Sequence, residues 1–355
     1  MTEGISANLD LLRTIAVLLV LGQHLFFRFP VAWMQFLAGR SLGLFGVLLF
    51  FVHTSLVLMF SMDRSLLRRP ALFKNFYTRR IFRIYPLAVV AVLAVLFLHL
   101  DSDVNGIHGL TYHPAKLSMR AVVGELLLVQ NVAGVRSNPN VLWSLPFELQ
   151  MYVILPFLFV LSRSRPLFRP LLYLWCISAI AGWIQPHTHG PFQRFGIELF
   201  SLLQFVPCFL PGVIAFSLLP QRARFRAWLW PAFILVLLVT FAIFPILQVG
   251  WFLCLALGLM IPMFPEIRAN WLRVASHHIA TYSYGIYICH PFCLWFVFEV
   301  MASSPWWIKG LVLVSSLVVL PVSAYHCIEK PLIQAGQKIA SRWADPPQRV
   351  QAAAA

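Results

Sequence analysis

Long apolar stretches alternate with short polar segments along the whole chain. Most of the stretches approach the ~20 residues that an α-helix needs to cross the hydrocarbon core of a bilayer. The pattern predicts an all-α fold, a polytopic membrane bundle of about ten transmembrane helices. The predicted helices are 9–28, 41–62, 79–99, 147–163, 170–185, 198–218, 227–247, 248–264, 279–300 and 305–328. The apolar run 119–131 is too short to span, and we interpret it as an interfacial or re-entrant helix.

Basic residues fall in every second loop of this ten-helix scheme. They are Arg64, Arg68, Arg69, Lys74, Arg79, Arg80, Arg83, Arg163, Arg165, Arg169, Arg222, Arg224, Arg226, Arg268 and Arg273, followed by Lys338, Arg342 and Arg349 in the tail. The other side has fewer bases and carries Asp101, Asp103 and Glu125. Because positive charge is enriched in cytoplasmic loops, we predict cytoplasmic N and C termini and an external loop 100–146.

Composition fits a membrane protein and changes the meaning of the net charge. The chain of 355 residues is 60% hydrophobic and only 11% charged, whereas soluble domains are about 25% charged. A net charge of +15 is therefore interpreted as a topology signal, and no nucleic-acid partner is expected. The six cysteines lack zinc-ligand or disulfide-scaffold spacing, so no metal is predicted. We assign residues 1–335 to one membrane domain and 336–355 to a short cytoplasmic tail.

Ionisable residues inside apolar helices indicate where function lies, because they are costly in a bilayer. Arg13 and His24 lie on the first helix, eleven residues and hence about 16 Å apart. Glu148 begins the fourth helix and is expected at a depth similar to that of His24. Arg80 and Arg83 begin the third helix on the cytoplasmic side. The pattern predicts a basic cytoplasmic mouth with a His/Glu pair about half a bilayer above it.

Five motifs in order resemble one family. They are LDLLRTIAVLLVLGQH at Leu9–His24, RRIFRIYP at Arg79–Pro86, WSLPFELQMYVILP at Trp143–Pro156, SYGIYICHPF at Ser283–Phe292 and YHCIEKP at Tyr325–Pro331. Together they resemble the signatures of the acyltransferase-3 family, including its Arg-x10-His and Arg-x-x-Arg spacings. Two departures concern the acceptor more than the chemistry. Leu11 stands where the family usually has Gly, and Phe50–Ser55 reads FFVHTS where it usually has Phe-Phe-x-x-Ser-Gly.

The resemblance implies a membrane enzyme that moves an acyl group, usually acetyl, from acyl-CoA to a hydroxyl of a glycan or lipid-linked acceptor. Its partners would be acyl-CoA as co-substrate, that acceptor and membrane lipid, in the cell inner (plasma) membrane. The oligomeric state stays open, with a homodimer among the alternatives.

The catalytic candidates are His24 and Glu148. A neutral imidazole can take a proton from an acceptor hydroxyl or carry the acyl group briefly, and the alternative is a buried histidine bonded to a backbone carbonyl. Glu148 could orient His24 as the third member of a triad does, or be a carboxylate favoured at a helix N-terminus.

The binding candidates each have a structural alternative. Arg13, Arg80 and Arg83 could bind the phosphates of CoA, while Arg80 and Arg83 could instead be topology anchors and Arg13 could pair with Asp10. The substrate-binding candidates, Trp143, Ser144, Tyr284 and His290, could instead belong to the bundle core, with His290 bonded to a carbonyl freed by Pro291. Glu329 could simply pair with Lys330.

A second function class uses the same residues. A proton-coupled transporter or flippase of a glycolipid or small amphiphile would employ His24 and Glu148 as a proton relay. Inverted repeats typical of many transporters are not evident in the sequence. A non-catalytic membrane scaffold is a third class, and buried His, Glu and Arg argue against it.

Overall fold

The computed structural model describes residues 6–67, 70–102, 110–112, 118–164, 168–184, 201–219 and 223–343. The helices are α1 (Ala7–Phe26), α2 (Ala32–Ala38), α3 (Leu42–Arg64), α4 (Ala71–Phe97), α5 (Met119–Leu126), α6 (Gln130–Ala133), α7 (Leu145–Ser164), α8 (Phe168–Ile184), α9 (Ser201–Leu218), α10 (Leu229–Ile243), α11 (Leu247–Met260), α12 (Asn270–Trp295), α13 (Trp306–Ala324) and α14 (Lys330–Ser341). Short 3₁₀-helices cover Asn140–Ser144 and Ile261–Met263, and π-helices cover Phe296–Val300 and Tyr325–Glu329.

The prediction of a polytopic helical membrane bundle is confirmed. Within the described ranges, six helical segments are long and apolar enough to cross a membrane, and four shorter apolar helices accompany them. Each of the ten predicted helices corresponds to one of these segments. Residues 185 and 198–200 of the predicted fifth and sixth helices lie outside the described residues.

Two helices begin earlier than their apolar stretches predict. α4 begins at Ala71 rather than at 79, and α12 begins at Asn270 rather than at 279. Arg80 and Arg83 therefore lie in the third and fourth turns of α4, not at its start. Hydropathy marks the part of a helix that contacts lipid. The helix itself extends farther where the adjoining polar residues also favour helical structure.

Helical structure extends beyond the last predicted transmembrane helix into the predicted tail. α13 continues through the π-helix Tyr325–Glu329 into α14, so residues 336–341 of the predicted tail are helical. α14 packs against the start of α4, where Gly336 lies against the Phe82 side chain and Asn75 Nδ2 donates to the Ala340 carbonyl at 3.2 Å. Residues 344–355 lie outside the described part of the chain.

The first helix packs between two others and runs parallel to α12. Thr14 Oγ1 donates to the Ser276 carbonyl at 2.9 Å near one end, and His24 meets His290 near the other end. Because both residue numbers rise together, α1 and α12 point in the same direction, as alternating crossings require of the first and ninth helices. α3 is antiparallel to α1, with Gly43 N–H donating to the Gln23 side chain.

Most of the buried apolar side chains form one large cluster with close helix contacts, and two small clusters accompany it. Small residues permit these contacts, as they do in other membrane bundles. A Cβ on Gly212 of α9 would collide with Ser55 Oγ and the Val52 carbonyl of α3. Ser55 Oγ donates to the Phe209 carbonyl at 2.7 Å, and the Phe51 and Phe209 rings stack 4.2 Å apart. This packing fixes α3, one wall of the cavity described below.

The segment between α4 and α7 holds two short strands and the short helices α5 and α6. β1 (Leu100–Ser102) pairs antiparallel with β2 (Leu110–Tyr112), a hairpin that the sequence analysis did not predict. The run 119–131 forms α5 and the start of α6 rather than a spanning helix. Tyr85 Oη of α4 donates to the Leu127 carbonyl at 3.0 Å, which holds this segment on the bundle.

Candidate active site

Two histidines from opposite ends of the sequence meet between α1 and α12. His290 Nε2 lies 3.4 Å from His24 Nδ1, and the ring centroids are 5.0 Å apart. His290 is buried, with 1% of its surface exposed. The pair arises because α1 and α12 pack in parallel along most of their length.

Backbone carbonyls fix the tautomer of both rings. His24 Nδ1 lies 2.9 Å from the Val20 carbonyl, and His290 Nδ1 lies 3.1 Å from the Ile286 carbonyl. A carbonyl oxygen only accepts, so each Nδ1 carries the hydrogen and donates it. Nε2 of each neutral ring is then an acceptor. His24 therefore keeps an unprotonated Nε2 with which to take up a proton.

A polar cavity lies along α12 toward the Arg13 end of α1. Its volume is about 460 Å³, counting space open to solvent. Its polar lining residues are Arg13, Thr54, Ser144, Glu148, Ser283, Tyr284 and Tyr287. The Tyr287 ring connects this cavity to the histidines, since its centroid lies 6.3 Å from that of His290.

Arg13 has a partner other than the one its sequence neighbours suggest. Its Nε donates to Ser283 Oγ at 2.5 Å. Asp10 instead pairs with His277, whose Nδ1 lies 2.9 Å from Asp10 Oδ2. Asp10 and Arg13 therefore each contact α12 instead of forming a salt bridge with each other. Arg13 is left pointing into the bundle, with its guanidinium at the cavity.

Glu148 lies at the depth of Arg13. Tyr152 Oη donates to Glu148 Oε1 one turn along α7, and Thr54 of α3 also hydrogen-bonds the carboxylate. Its charged neighbours are Arg13 and Arg80. Among the described residues, no hydrogen bond joins Glu148 to His24.

The expectation that Glu148 and His24 share a depth is wrong. Arg13 and Glu148 line the same cavity, while His24 lies about 16 Å farther along α1. The difference arises because the 3₁₀-helix Asn140–Ser144 is itself buried in the bundle, so α7 begins inside it. The partner of His24 is His290, and the partners of Glu148 are hydroxyls and arginines.

Arg80 and Arg83 extend the polar site onto α4. Arg83 Nη1 lies 3.6 Å from Glu329 Oε2, and its guanidinium lies 6.0 Å from the centroid of the Tyr284 ring. Glu329, buried in the π-helix, thus pairs with Arg83 rather than with Lys330. Arg80 Nε is buried without a hydrogen-bond partner in the part of the chain described. Three arginines and two carboxylates therefore share this region, an excess of one positive charge.

The four predicted substrate-binding residues divide into three groups. Ser144 and Tyr284 line the cavity, and Tyr284 Oη donates to the Ile84 carbonyl at 2.7 Å. Trp143 packs in an aromatic cluster, 5.6 Å from Phe205 and 6.1 Å from Phe147 between centroids. His290 belongs to the histidine pair.

Three further polar residues, Ser283, Tyr287 and Thr54, line the cavity and are not among the predicted site residues. Tyr287 Oη donates to the Val141 carbonyl at 2.7 Å and so accepts the hydrogen of Ser144 Oγ, 2.8 Å away. Ser283 binds Arg13, and Thr54 binds Glu148. The spacing of Ser283, Tyr287 and His290 by four and three residues marks one face of α12 and could have grouped them.

The composition of the site suits acid–base chemistry and the binding of an anion. Groups of three or more His, Cys, Asp or Glu side chains that could hold a metal are absent from the described residues. The site offers an imidazole base at one end and buried guanidinium groups at the other, joined by hydroxyls along α12.

Comparison with known proteins identifies the family of the chain. A family model described as an acyltransferase domain matches residues 6–326, nearly the whole chain, and so spans both histidines and all three arginines. No curated protein and no solved structure matches the chain. The chain therefore belongs to the acyltransferase-3 family and is a multi-pass membrane acyltransferase.

Proposed function

We propose that this protein transfers an acyl group, in particular acetyl, from acyl-CoA to a hydroxyl of a glycan or lipid-linked acceptor in the plasma (inner) membrane. The observation that carries the proposal is the state of His24, whose Nδ1 is occupied by the Val20 carbonyl and whose Nε2 is free to accept a proton. Such a group is what an acceptor hydroxyl requires as it attacks a thioester.

The reaction balances with one proton carried by His24. As the acceptor oxygen forms a bond to the acyl carbon, its proton moves to His24 Nε2. The bond from the acyl carbon to sulfur then breaks, and the CoA thiolate takes that proton from Nε2. The products are the acyl ester and free CoA thiol, and His24 returns to its neutral form. Glu148 contributes at the other end of the cavity, where it partly balances the charge of Arg13 and Arg80.

The arginine cluster supports a CoA donor. Arg13, Arg80 and Arg83 form a partly neutralised cationic group, and guanidinium binds phosphate oxygens in a bidentate fashion. The helical rise separates Arg13 from His24 by about 16 Å, a distance on the order of an extended pantetheine arm. A nucleotide held at the arginines would thus present its thioester to His24. With the predicted orientation, CoA stays on the cytoplasmic side and the acyl group is transferred near the outer face.

The same residues argue less well for transport. A proton relay from His24 to Glu148 needs the two groups to be linked, and Glu148 lies with Arg13 instead. Membership of an acyltransferase family likewise favours the enzyme.

The proposal is tested by release of CoA thiol from acetyl-CoA by the purified full-length protein in lipid nanodiscs, with a glycan or polyprenyl-linked sugar as acceptor. His24→Ala should lower kcat by about 10²- to 10⁴-fold, because the base is lost, and should leave acetyl-CoA binding unchanged. Arg80→Gln with Arg83→Gln should mainly raise the KM for acetyl-CoA.

Arg163→Gln provides the matched control for the arginine variants. Arg163, like Arg83, has an acidic partner, but its ion pair with Asp63, 3.5 Å long, is exposed to solvent. Its KM should equal that of the wild type. Near-wild-type turnover by His24→Ala removes His24 from the reaction, and an unchanged KM in the double variant reduces Arg80 and Arg83 to topology anchors.

A further inference from the structure

The histidine pair contains a second imidazole that the proposed reaction does not yet use. His290 is almost completely buried and comes from α12, while the base comes from α1. Its Nδ1–H is donated to the Ile286 carbonyl at 3.1 Å, so its Nε2 faces His24 as an acceptor.

We propose that His290 is the positioning residue of the histidine base: its Nε2 accepts from His24 Nδ1–H, holds the ring of His24 with Nε2 toward the reacting hydroxyl, and stabilises the imidazolium that forms during transfer. This inference rests on the proposed function, since it assigns a role relative to His24 as the base. It gives to a neutral imidazole the role for which the sequence analysis considered Glu148.

The His24 ring is held from two helices. The single hydrogen on His24 Nδ1 is shared between two acceptors, the Val20 carbonyl at 2.9 Å and His290 Nε2 at 3.4 Å. The first belongs to the helix that carries His24, but the second belongs to a neighbouring helix. Only the second therefore ties the orientation of the ring to the wall of the cavity, which α12 also forms through Ser283, Tyr284 and Tyr287.

Protonation of His24 strengthens its contact with His290. When His24 takes a proton at Nε2, its Nδ1–H becomes part of a cation and donates more strongly. A neutral acceptor at this place stabilises the cation without the desolvation cost that a buried carboxylate would add. His290 stays neutral, and no proton passes to it.

The backbone around His290 supports this placement. Pro291 has no N–H, so the Tyr287 carbonyl lacks its helical donor, and the His290 ring lies within hydrogen-bonding range of that carbonyl as well as of Ile286. The π-helix Phe296–Val300 begins nearly two turns later, and π-helical turns occur frequently at functional sites. The ring is therefore held by its own helix before His24 contacts it.

The test compares His290→Leu with His290→Gln in the same thiol-release assay. Leu removes the acceptor and should lower kcat by about 10²- to 10⁴-fold, as when the group that orients a catalytic histidine is removed, with an unchanged KM for acetyl-CoA. Gln can place Oε1 near the position of Nε2, so the kcat of His290→Gln should be at least tenfold higher than that of His290→Leu. His278→Leu, an exposed histidine of the same helix, should leave kcat unchanged.

The two proposals fail in different ways. In a His24→Ala background, His290→Leu should not lower the residual rate further, because residues that act as a unit are not additive. If His24→Ala is inactive and His290→Leu turns over at the wild-type rate, the role of His290 is refuted and the proposed function stands. Equal loss in the Leu and Gln variants, or a parallel rise in KM, also refutes it. An active His24→Ala refutes His24 as the base, and with it the role of His290, whereas a wild-type protein that releases no CoA thiol refutes the proposed function itself.

Discussion

At the scale of single residues, Glu125 on α5 shows how burial sets the charge of a carboxyl outside the spanning helices. It is 3% exposed, and its Oε1 accepts the Asn138 backbone N–H at 2.6 Å. Its Oε2 is buried without a hydrogen-bond partner in the described part of the chain. Burial raises the pKa of the Glu125 carboxyl from 4.5 to about 8, and the hydrogen bond from Asn138 only partly opposes this.

This shift predicts a pH-dependent contribution to stability. Between about pH 4.5 and pH 8 the folded protein holds a proton on Glu125 that the unfolded chain has lost, so the free energy of unfolding falls as pH rises through this window. In Glu125→Gln this contribution is absent, and the thermal midpoint of the solubilised protein should fall less between pH 5 and pH 9 than in the wild type. Asp63→Asn, on an exposed side chain, should retain the wild-type dependence. An identical pH dependence of the thermal midpoint in Glu125→Gln and the wild type would contradict the raised pKa of Glu125.

The candidate residues themselves could be found from the sequence more readily than their contacts. Arg13 and His24 stand out because ionisable groups are rare in apolar helices. The partner of His24 depends on how α1 packs against α12. Whether that partner is His290 or Glu148 depends also on the membrane depth at which α7 begins. The periodicity of one helix carries no information on either point.

At the scale of elements, the contact between α3 and α9 depends on a missing side chain. Gly212 faces Ser55 Oγ and the Val52 carbonyl so closely that a Cβ would overlap both. Ser55 is itself fixed, because its one hydroxyl hydrogen faces the Phe209 carbonyl at 2.7 Å and the Phe51 and Val52 carbonyls at 2.9 and 3.1 Å. The helices can therefore relieve an added methyl group only by moving apart.

Gly212→Ala should consequently destabilise the protein by about 1–3 kcal/mol, the range for overpacking a dense core, and lower the thermal midpoint. Gly310→Ala provides the matched control, because a Cβ on Gly310 of α13 has no neighbour within 4 Å. There the higher helix propensity of Ala should leave stability unchanged or raise it by up to about 1 kcal/mol. A Gly212→Ala midpoint at or above that of Gly310→Ala would contradict the close contact.

Element identity was predictable because apolar length is a strong signal, but element ends were not. The basic first turns of α4 and the polar turns of α14 pack on each other, and this tertiary contact extends both beyond their apolar stretches. The hairpin of β1 and β2 is too short for an alternating pattern to reveal it.

At the scale of the whole molecule, orientation in the membrane is the prediction on which the direction of transfer depends. Reporter fusions after Asn105, in the stretch 103–109 outside the described residues, and after Arg224 should score on opposite sides, with Arg224 cytoplasmic. The parallel course of α1 and α12 agrees with an odd number of crossings between them, as the seven intervening predicted helices give. Both reporters on one side would overturn the inside and outside assignments.

The histidine pair also has a consequence for the order of events during synthesis. His24 and His290 are 266 residues apart in sequence, and α1 leaves the ribosome long before α12. Throughout that interval Arg13 and His24 exist in a nascent protein without Ser283 and His290, their partners in the finished one. The proposed reactive centre is therefore completed only when α12 is inserted, so a chain interrupted earlier would carry the proposed base, His24, without His290.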